Sequence, residues 1–137
     1  YRPRSRPARL FQNTARVHFN QHVEREGRFG RRIVYGGHII SISRALSFNG
    51  LANAVGMVAI HGGRHTNPSF AGDTIYAWSE ILATDALDGV AHVGAARVRT
   101  VALKDRAACD FTDRDAAGAY DPCVVLDFDY TILMPRR

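Results

Sequence analysis

Behind Gly36 and Gly37 the chain runs HIISISRALSFNGLANAVGM, and this stretch narrows the possible folds more than any other. Its apolar residues, Ile39, Ile40, Ile42, Ala45, Leu46, Leu51, Ala52 and Val55, recur at three- and four-residue steps. That is the helical period, but the residues are too dense for a helix with a wet face. The pattern predicts one long helix, from His38 to Met57, buried on most sides. Asn49 and Gly50 mark a possible break or kink within it.

What could bury such a helix lies downstream. Val58 to Thr66 reads as a strand, PSFAGD over 68–73 as a turn, and TIYAWSEILA over 74–83 as a second strand rich in β-branched and aromatic residues. Val93 to Lys104 sets Val98, Thr100 and Ala102 against Arg97, Arg99, Val101 and Leu103, so one face is mixed. Val124 to Met134 alternates most cleanly: Val124, Leu126, Phe128, Tyr130, Ile132 and Met134 face one way, and Asp127, Asp129 and Thr131 the other. A polar loop rich in Asp, Ala and Gly, from Asp105 to Asp121, joins the last two strands. Upstream, residues 1–9 (YRPRSRPAR) read as an exposed arm, and 10–30 as a loop with a short helical stretch near His18 to Glu26. One buried helix followed by about four antiparallel strands gives an α+β domain over residues 10–137.

A length of 137 residues fits one domain with one core, and 46% hydrophobic with 23% charged residues is an ordinary globular balance. No apolar run reaches the ~18 residues of a membrane span. Cys109 and Cys123 have neither metal nor redox spacing, which points to a reducing cytoplasm. The net charge of +5 is concentrated at the start, in Arg2, Arg4, Arg6, Arg9, Arg16, Arg25, Arg28, Arg31 and Arg32, against Glu24 and Glu26 alone. Such a patch suits nucleic acid, a phosphorylated cofactor or an acidic protein surface. The aromatics are not interleaved with these arginines and no nucleic-acid motif is present, so nucleic acid is not the expected partner.

Three motifs carry a resemblance. NTARVHFN over 13–20 places His18 five residues after Asn13, IVYGG over 33–37 forms a turn into the helix, and PSFAGDT over 68–74 opens a strand. In this order they resemble the MaoC-like dehydratases, whose motif has an acid, a histidine five residues on, a glycine-rich turn and a P-x-x-x-G-D-T strand entry. The likeness spans most of the chain, through LFQNTARVHFNQHVEREGRFGRRIVYGGHII, RALSFNGLANA, GRHTNPSFAGDTIYAWSEIL and VVLDFDYTILMPRR. It implies a hotdog fold, an antiparallel sheet wrapped around one long central helix. It also implies similarity to the second half of a two-module member of the family, with a second hotdog module in cis or a homodimer as partner. The family's first strand and most of the preceding helix are missing ahead of Leu10, so the domain reads as incomplete at its N-terminus.

The implied reaction is reversible hydration of an α,β-unsaturated acyl-CoA, here the short branched dicarboxylyl thioester mesaconyl-CoA, to β-methylmalyl-CoA. Hydration needs a base for the attacking water, an acid for the α-carbon, and donors for the enolate-like oxygen. The resemblance assigns His18 as the acid/base. Gly37 is the oxyanion candidate, with the His38 N–H as a second donor. Asn13 stands where the family has an aspartate. Asparagine cannot take a proton, so it either orients water by hydrogen bonding or leaves the task to another carboxylate. Glu24 and Glu26 are more simply read as solvated charges.

The substrate's free carboxylate calls for a cation, for which Arg64 and His65 are the candidates, because arginine binds carboxylates in bidentate fashion. Arg28, Arg31 or Arg32 could meet the phosphates of coenzyme A, although each could equally be a solubilising surface charge. No metal or redox cofactor is expected, coenzyme A being part of the substrate. His18 and His22 sit four apart, but Phe19, Asn20 and Gln21 separate them where a zinc protease motif has a glutamate. Gly62 with Gly63, and Gly72 with Asp73, lack phosphate-loop spacing and read as strand-end turns. Two other functions stay open: hydration of another enoyl-CoA, and a non-catalytic acyl-CoA-binding module, which Asn13 favours.

Overall fold

The computed structural model describes residues 10–111 and 113–136; the arm read over 1–9 lies outside them. A single 3-10 turn, Arg16–His18, and a short helix α1, Gln21–Glu24, replace the helical stretch expected around His18. Asn20 caps α1 by accepting from the Val23 N–H at 3.2 Å. Helix α2, Gly36–Leu46, follows, then a one-turn helix α3, Phe48–Leu51. Strands β1, Gly56–Arg64, β2, Ile75–Leu87, β3, Val90–Lys104, and β4, Val124–Pro135, complete the chain. They form one antiparallel sheet in the order β1-β4-β3-β2.

The long helix expected to Met57 is shorter and broken. The interruption falls at Ser47, ahead of Asn49 and Gly50, which lie inside α3. The Ser47 hydroxyl donates to the Ser43 carbonyl at 3.0 Å and meets the Ser79 hydroxyl of β2 at 2.9 Å. Such bonding to the preceding turn competes with the backbone ladder. Burial on most sides is not observed either. Ile39 and Ser43 are the buried residues of α2 and Leu51 that of α3, while Leu46 and Phe48 are exposed. The helix lies against β2, β3 and β4 along one stripe, and its apolar excess faces outward.

The core sits on the two central strands. Ile39 and Leu51 pack on Ala96, Val98, Ala102, Leu126, Phe128, Tyr130 and Ile132, the inner face of β3 and β4. Within that face Thr100 links the hydroxyls of Ser79, at 2.8 Å, and Tyr130, at 3.1 Å. Val124 departs from the expected alternation. Ala102 pairs with Leu126 and Leu103 with Val124, so Val125 is an extra residue in the ladder. One inserted residue reverses the facing of everything beyond it. Val124 therefore joins Val101 and Leu103 on the outer face, under Trp78, Ala108, Tyr120 and Cys123.

The mixed face of β3 is resolved in the same way. Its arginines are balanced and its apolar half is roofed by the loop from Asp105 to Asp121. Arg97 forks onto Asp129 at 2.9 and 2.6 Å, and Arg99 onto Asp127 at 2.9 and 2.7 Å. Arg99 also bonds Asp113 of the loop, and the Tyr120 hydroxyl donates to Asp127 at 2.7 Å. Desolvation is the largest single influence on the Asp127 carboxyl and pushes its pKa upward, but the hydrogen bonds from Arg99 and Tyr120, with the charges of Arg99 and Arg114, outweigh it and hold it below the ordinary value.

Candidate functional site

The Asn13 side chain accepts from the Ala15 N–H at 2.8 Å, turning the chain into the 3-10 helix that ends on His18. Strand-like contact then fixes this segment against residues 33–34. The Ile33 N–H donates to the Val17 carbonyl at 3.2 Å, and the Ile33 carbonyl lies 3.2 Å from His18 Nδ1. A carbonyl only accepts, so this bond places the proton on Nδ1 and leaves the Nε2 lone pair free. The Val34 N–H donates to the Ser69 carbonyl at 2.8 Å, which ties the PSFAGDT turn to the same segment.

Two residues further on, Tyr35 is the N-cap of α2. Its ring meets His18 edge-on at 5.6 Å and Phe11 at 6.1 Å. The helix opens with two glycines, and a ring closely approaches each of them. A Cβ on Gly37 would stand 2.7 Å from the Tyr35 ring, and one on Gly36 would stand 2.5 Å from His65 Nε2. Two rings thus flank the first helical turn, where N–H groups have no intrahelical partner and the dipole favours negative charge. Shielding of the His65 ring from water lowers its pKa from the ordinary imidazole value, with a backbone hydrogen bond to Val125 working in the opposite direction.

No family model matches the chain. Among curated proteins it is 77% identical over 129 residues to the β-methylmalyl-CoA dehydratase of Chloroflexus aurantiacus, covering 94% of this chain and 37% of that protein. It is 52% identical over 128 residues to the mesaconyl-CoA hydratase of Cereibacter sphaeroides, covering 93% of this chain and 36% of that protein. The chain thus spans a little over a third of the length of the curated relatives it matches. A crystallised Chloroflexus aurantiacus protein, named for a MaoC dehydratase domain, superposes with a TM-score of 0.93 at 74% identity, over 98% of this chain and 38% of that one. A Mycobacterium tuberculosis protein with a double hotdog fold superposes with a TM-score of 0.66 at 26% identity, over 97% of this chain and 35% of that one.

The chain has the hotdog fold, and over nearly all its length it is similar to a MaoC dehydratase domain. Its short sheet-covered helix and antiparallel strands are the α+β hotdog arrangement expected from the motifs.

Within this hotdog domain the residues singled out by sequence divide into two groups. His18, Gly37 and His65 gather around Tyr35 and the first turn of α2. Arg64 does not join them. It pairs in register with Asp127, whose carboxylate lies on the outer face, and its charge acts on Tyr120 there. Arg64 is the last residue of β1, and His65 follows where the chain leaves the strand toward Gly36. Arg31 stacks on Phe70 at 3.7 Å, and Arg32 is spent on Gln21 Oε1 and the Phe19 carbonyl, at 3.3 and 3.2 Å. The His38 N–H is likewise engaged, donating to the Tyr35 carbonyl at 3.0 Å. Glu24 lies 3.7 Å from Arg16, with its side chain only 13% exposed, and is not the solvated charge expected. Among the described residues no group of three or more His, Cys, Asp or Glu side chains is arranged to hold a metal, and no helix is long and apolar enough to cross a membrane.

Tyr35 is the residue that sequence reasoning passed over. An aromatic ahead of a glycine pair reads as packing. The available signal was the pair itself, since two adjacent glycines at a helix start leave room for a ring.

Proposed function

We propose that this domain belongs to a hydro-lyase that reversibly hydrates an α,β-unsaturated acyl-CoA, with mesaconyl-CoA and β-methylmalyl-CoA as the preferred pair. The names of the two curated relatives support the substrate. The observation that carries the chemistry is the bond from His18 Nδ1 to the Ile33 carbonyl, because it leaves Nε2 as a base beside a helix N-terminus. In this reading Nε2 takes a proton from water as its oxygen attacks the β-carbon, and the imidazolium returns a proton to the α-carbon. The free N–H groups at Gly36 and Gly37 stabilise charge on the thioester oxygen. His65 contributes a hydrogen bond to the distal carboxylate. Water adds to the β-carbon as the C=C π bond breaks and the α-carbon is then protonated, with no change of oxidation state that calls for a redox cofactor; no metal is invoked, and coenzyme A enters with the substrate.

A second hotdog module, in cis or in a homodimer, is the proposed partner. Met57, Val58 and Ile60 on edge strand β1, Ile81 and Leu82 on edge strand β2, and Phe48 on α3 are all exposed. Exposed apolar residues on both edge strands are what a partner module would cover. The cytoplasm is the proposed compartment, and neither nucleic acid nor membrane has a part in the reading.

Incubating the whole protein with mesaconyl-CoA and with crotonyl-CoA, and following loss of the enoyl-thioester absorbance, tests the proposal. Faster hydration of mesaconyl-CoA is expected. A preference for crotonyl-CoA would move the substrate, and no hydration of either would leave a binding module, the reading Asn13 favours.

Asn13→Asp is a second test. An aspartate keeps the acceptor for the Ala15 N–H, so the turn persists. Activity within about tenfold of the parent is expected, with a second titrating group in the pH–rate profile. Complete loss with the fold intact would show that the amide itself is needed.

A further inference from the structure

We propose that the cations around Phe70 form the site for the nucleotide end of coenzyme A, an inference that rests on the acyl-CoA reading above. Arg31 lies flat over the Phe70 ring at 3.7 Å, Lys104 Nζ stands 5.5 Å from the same ring, and Phe29 meets it edge-on at 5.9 Å. Arg28 lies over Phe29 at 5.0 Å. Three cations thus share two aromatic rings. Among the described residues none of the three has a carboxylate within ion-pair distance, whereas Arg97, Arg99, Arg106 and Arg114 on the outer face all have aspartate partners. Like charges held together repel, and an anion relieves that repulsion.

The geometry suits phosphate and a base. A guanidinium stacked on a ring keeps its N–H fork in the stacking plane, pointing outward, where it can grip a phosphate with two bonds. Lys104 spends one donor on the Pro68 carbonyl at 2.7 Å, which fixes the ammonium and leaves two donors. The exposed Arg31 guanidinium, planar and delocalised, offers its outer face to adenine. The cluster is also tethered to the reacting end. Arg31 and Tyr35 are four residues apart, so their Cα atoms are separated by at most about 14 Å, a gap that the pantetheine arm spans. The Ser69 carbonyl, next to Phe70, holds Val34 in between. A basic patch could instead receive the acidic surface of an acyl carrier protein, but such a protein has no use for rings between the cations.

Titrating the whole protein with adenosine 3′,5′-bisphosphate by calorimetry tests this without any turnover. Binding is expected, weakened about tenfold by Arg31→Ala and again by Lys104→Met. Kinetically, the advantage in kcat/KM of a CoA thioester over the matching pantetheine thioester should shrink about tenfold in Arg31→Ala. Arg31→Gln, which keeps the length of the side chain, should behave like the alanine variant. Failure of the bisphosphate to bind, or equal binding by parent and variants, would overturn the proposal even if hydration is found. Bisphosphate binding lost in the variants would uphold it even if hydration is not. Impairment confined to thioesters on an acyl carrier protein would overturn it in favour of that partner.

Discussion

Replacing His18 with alanine is expected to lower hydration turnover by about two to four orders of magnitude, the usual weight of a positioned acid/base. The expectation rests on how the ring is held. The Ile33 carbonyl accepts a hydrogen bond from Nδ1–H, and Tyr35 bears edge-on against the ring, so both tautomer and orientation are set before substrate arrives. Water would have to replace a base already placed beside the helix N-terminus. Asn13 cannot take a proton, and its oxygen is occupied by the Ala15 N–H. The half-exposed position of His18 makes the substitution structurally mild, so circular dichroism and thermal unfolding should be close to the parent. Single-turnover and steady-state rates with mesaconyl-CoA are the measurement. A folded variant that keeps more than about a tenth of the parent rate would remove His18 from the chemistry.

Local pattern was readable wherever the chain settles its own conformation. The alternation of β4, the helix start at the glycine pair and the strand entry at PSFAGDT all depend on neighbours within a few residues. What was not readable depends on contacts made at a distance. The extra residue at Val125 is fixed by the register with β3, so Val124 could not be assigned to the outer face from its own strand. The helix break at Ser47 involves Ser79, thirty-two residues away. Arg64 and His65 looked like one cationic unit because they are adjacent, but the strand ends between them, with Arg64 paired to Asp127 and His65 turned to Gly36. The density of apolar residues around α2 was read as burial within this chain. In the fold that density is left on one side of the helix and on the edge strands, where a second module would use it.

Tyr130→Ala is expected to cost about 3–5 kcal/mol, the range for removing a fully buried aromatic side chain. Tyr130 has no exposed surface, stacks on Phe128 at 4.9 Å between ring centroids, and lies among Val98, Ile132 and Ala96 at the centre of the inner face. Its loss leaves a hole that the sheet cannot close, because the ladders of β3 and β4 hold the backbone on both sides. Against a total stability of about 5–15 kcal/mol this is a large fraction, and for a domain of this size it lowers Tm by about 10–20 °C. Tyr130→Phe separates packing from polarity. The hydroxyl ends a chain that runs from Ser47 through Ser79 and Thr100, and deleting it leaves Thr100 still bonded to Ser79. No buried group is orphaned, so about 1 kcal/mol is expected. Thermal and denaturant unfolding of parent and both variants would decide the matter. If the phenylalanine variant were as unstable as the alanine one, the hydroxyl chain would be what holds the helix end to the sheet, and packing around Tyr130 would be secondary.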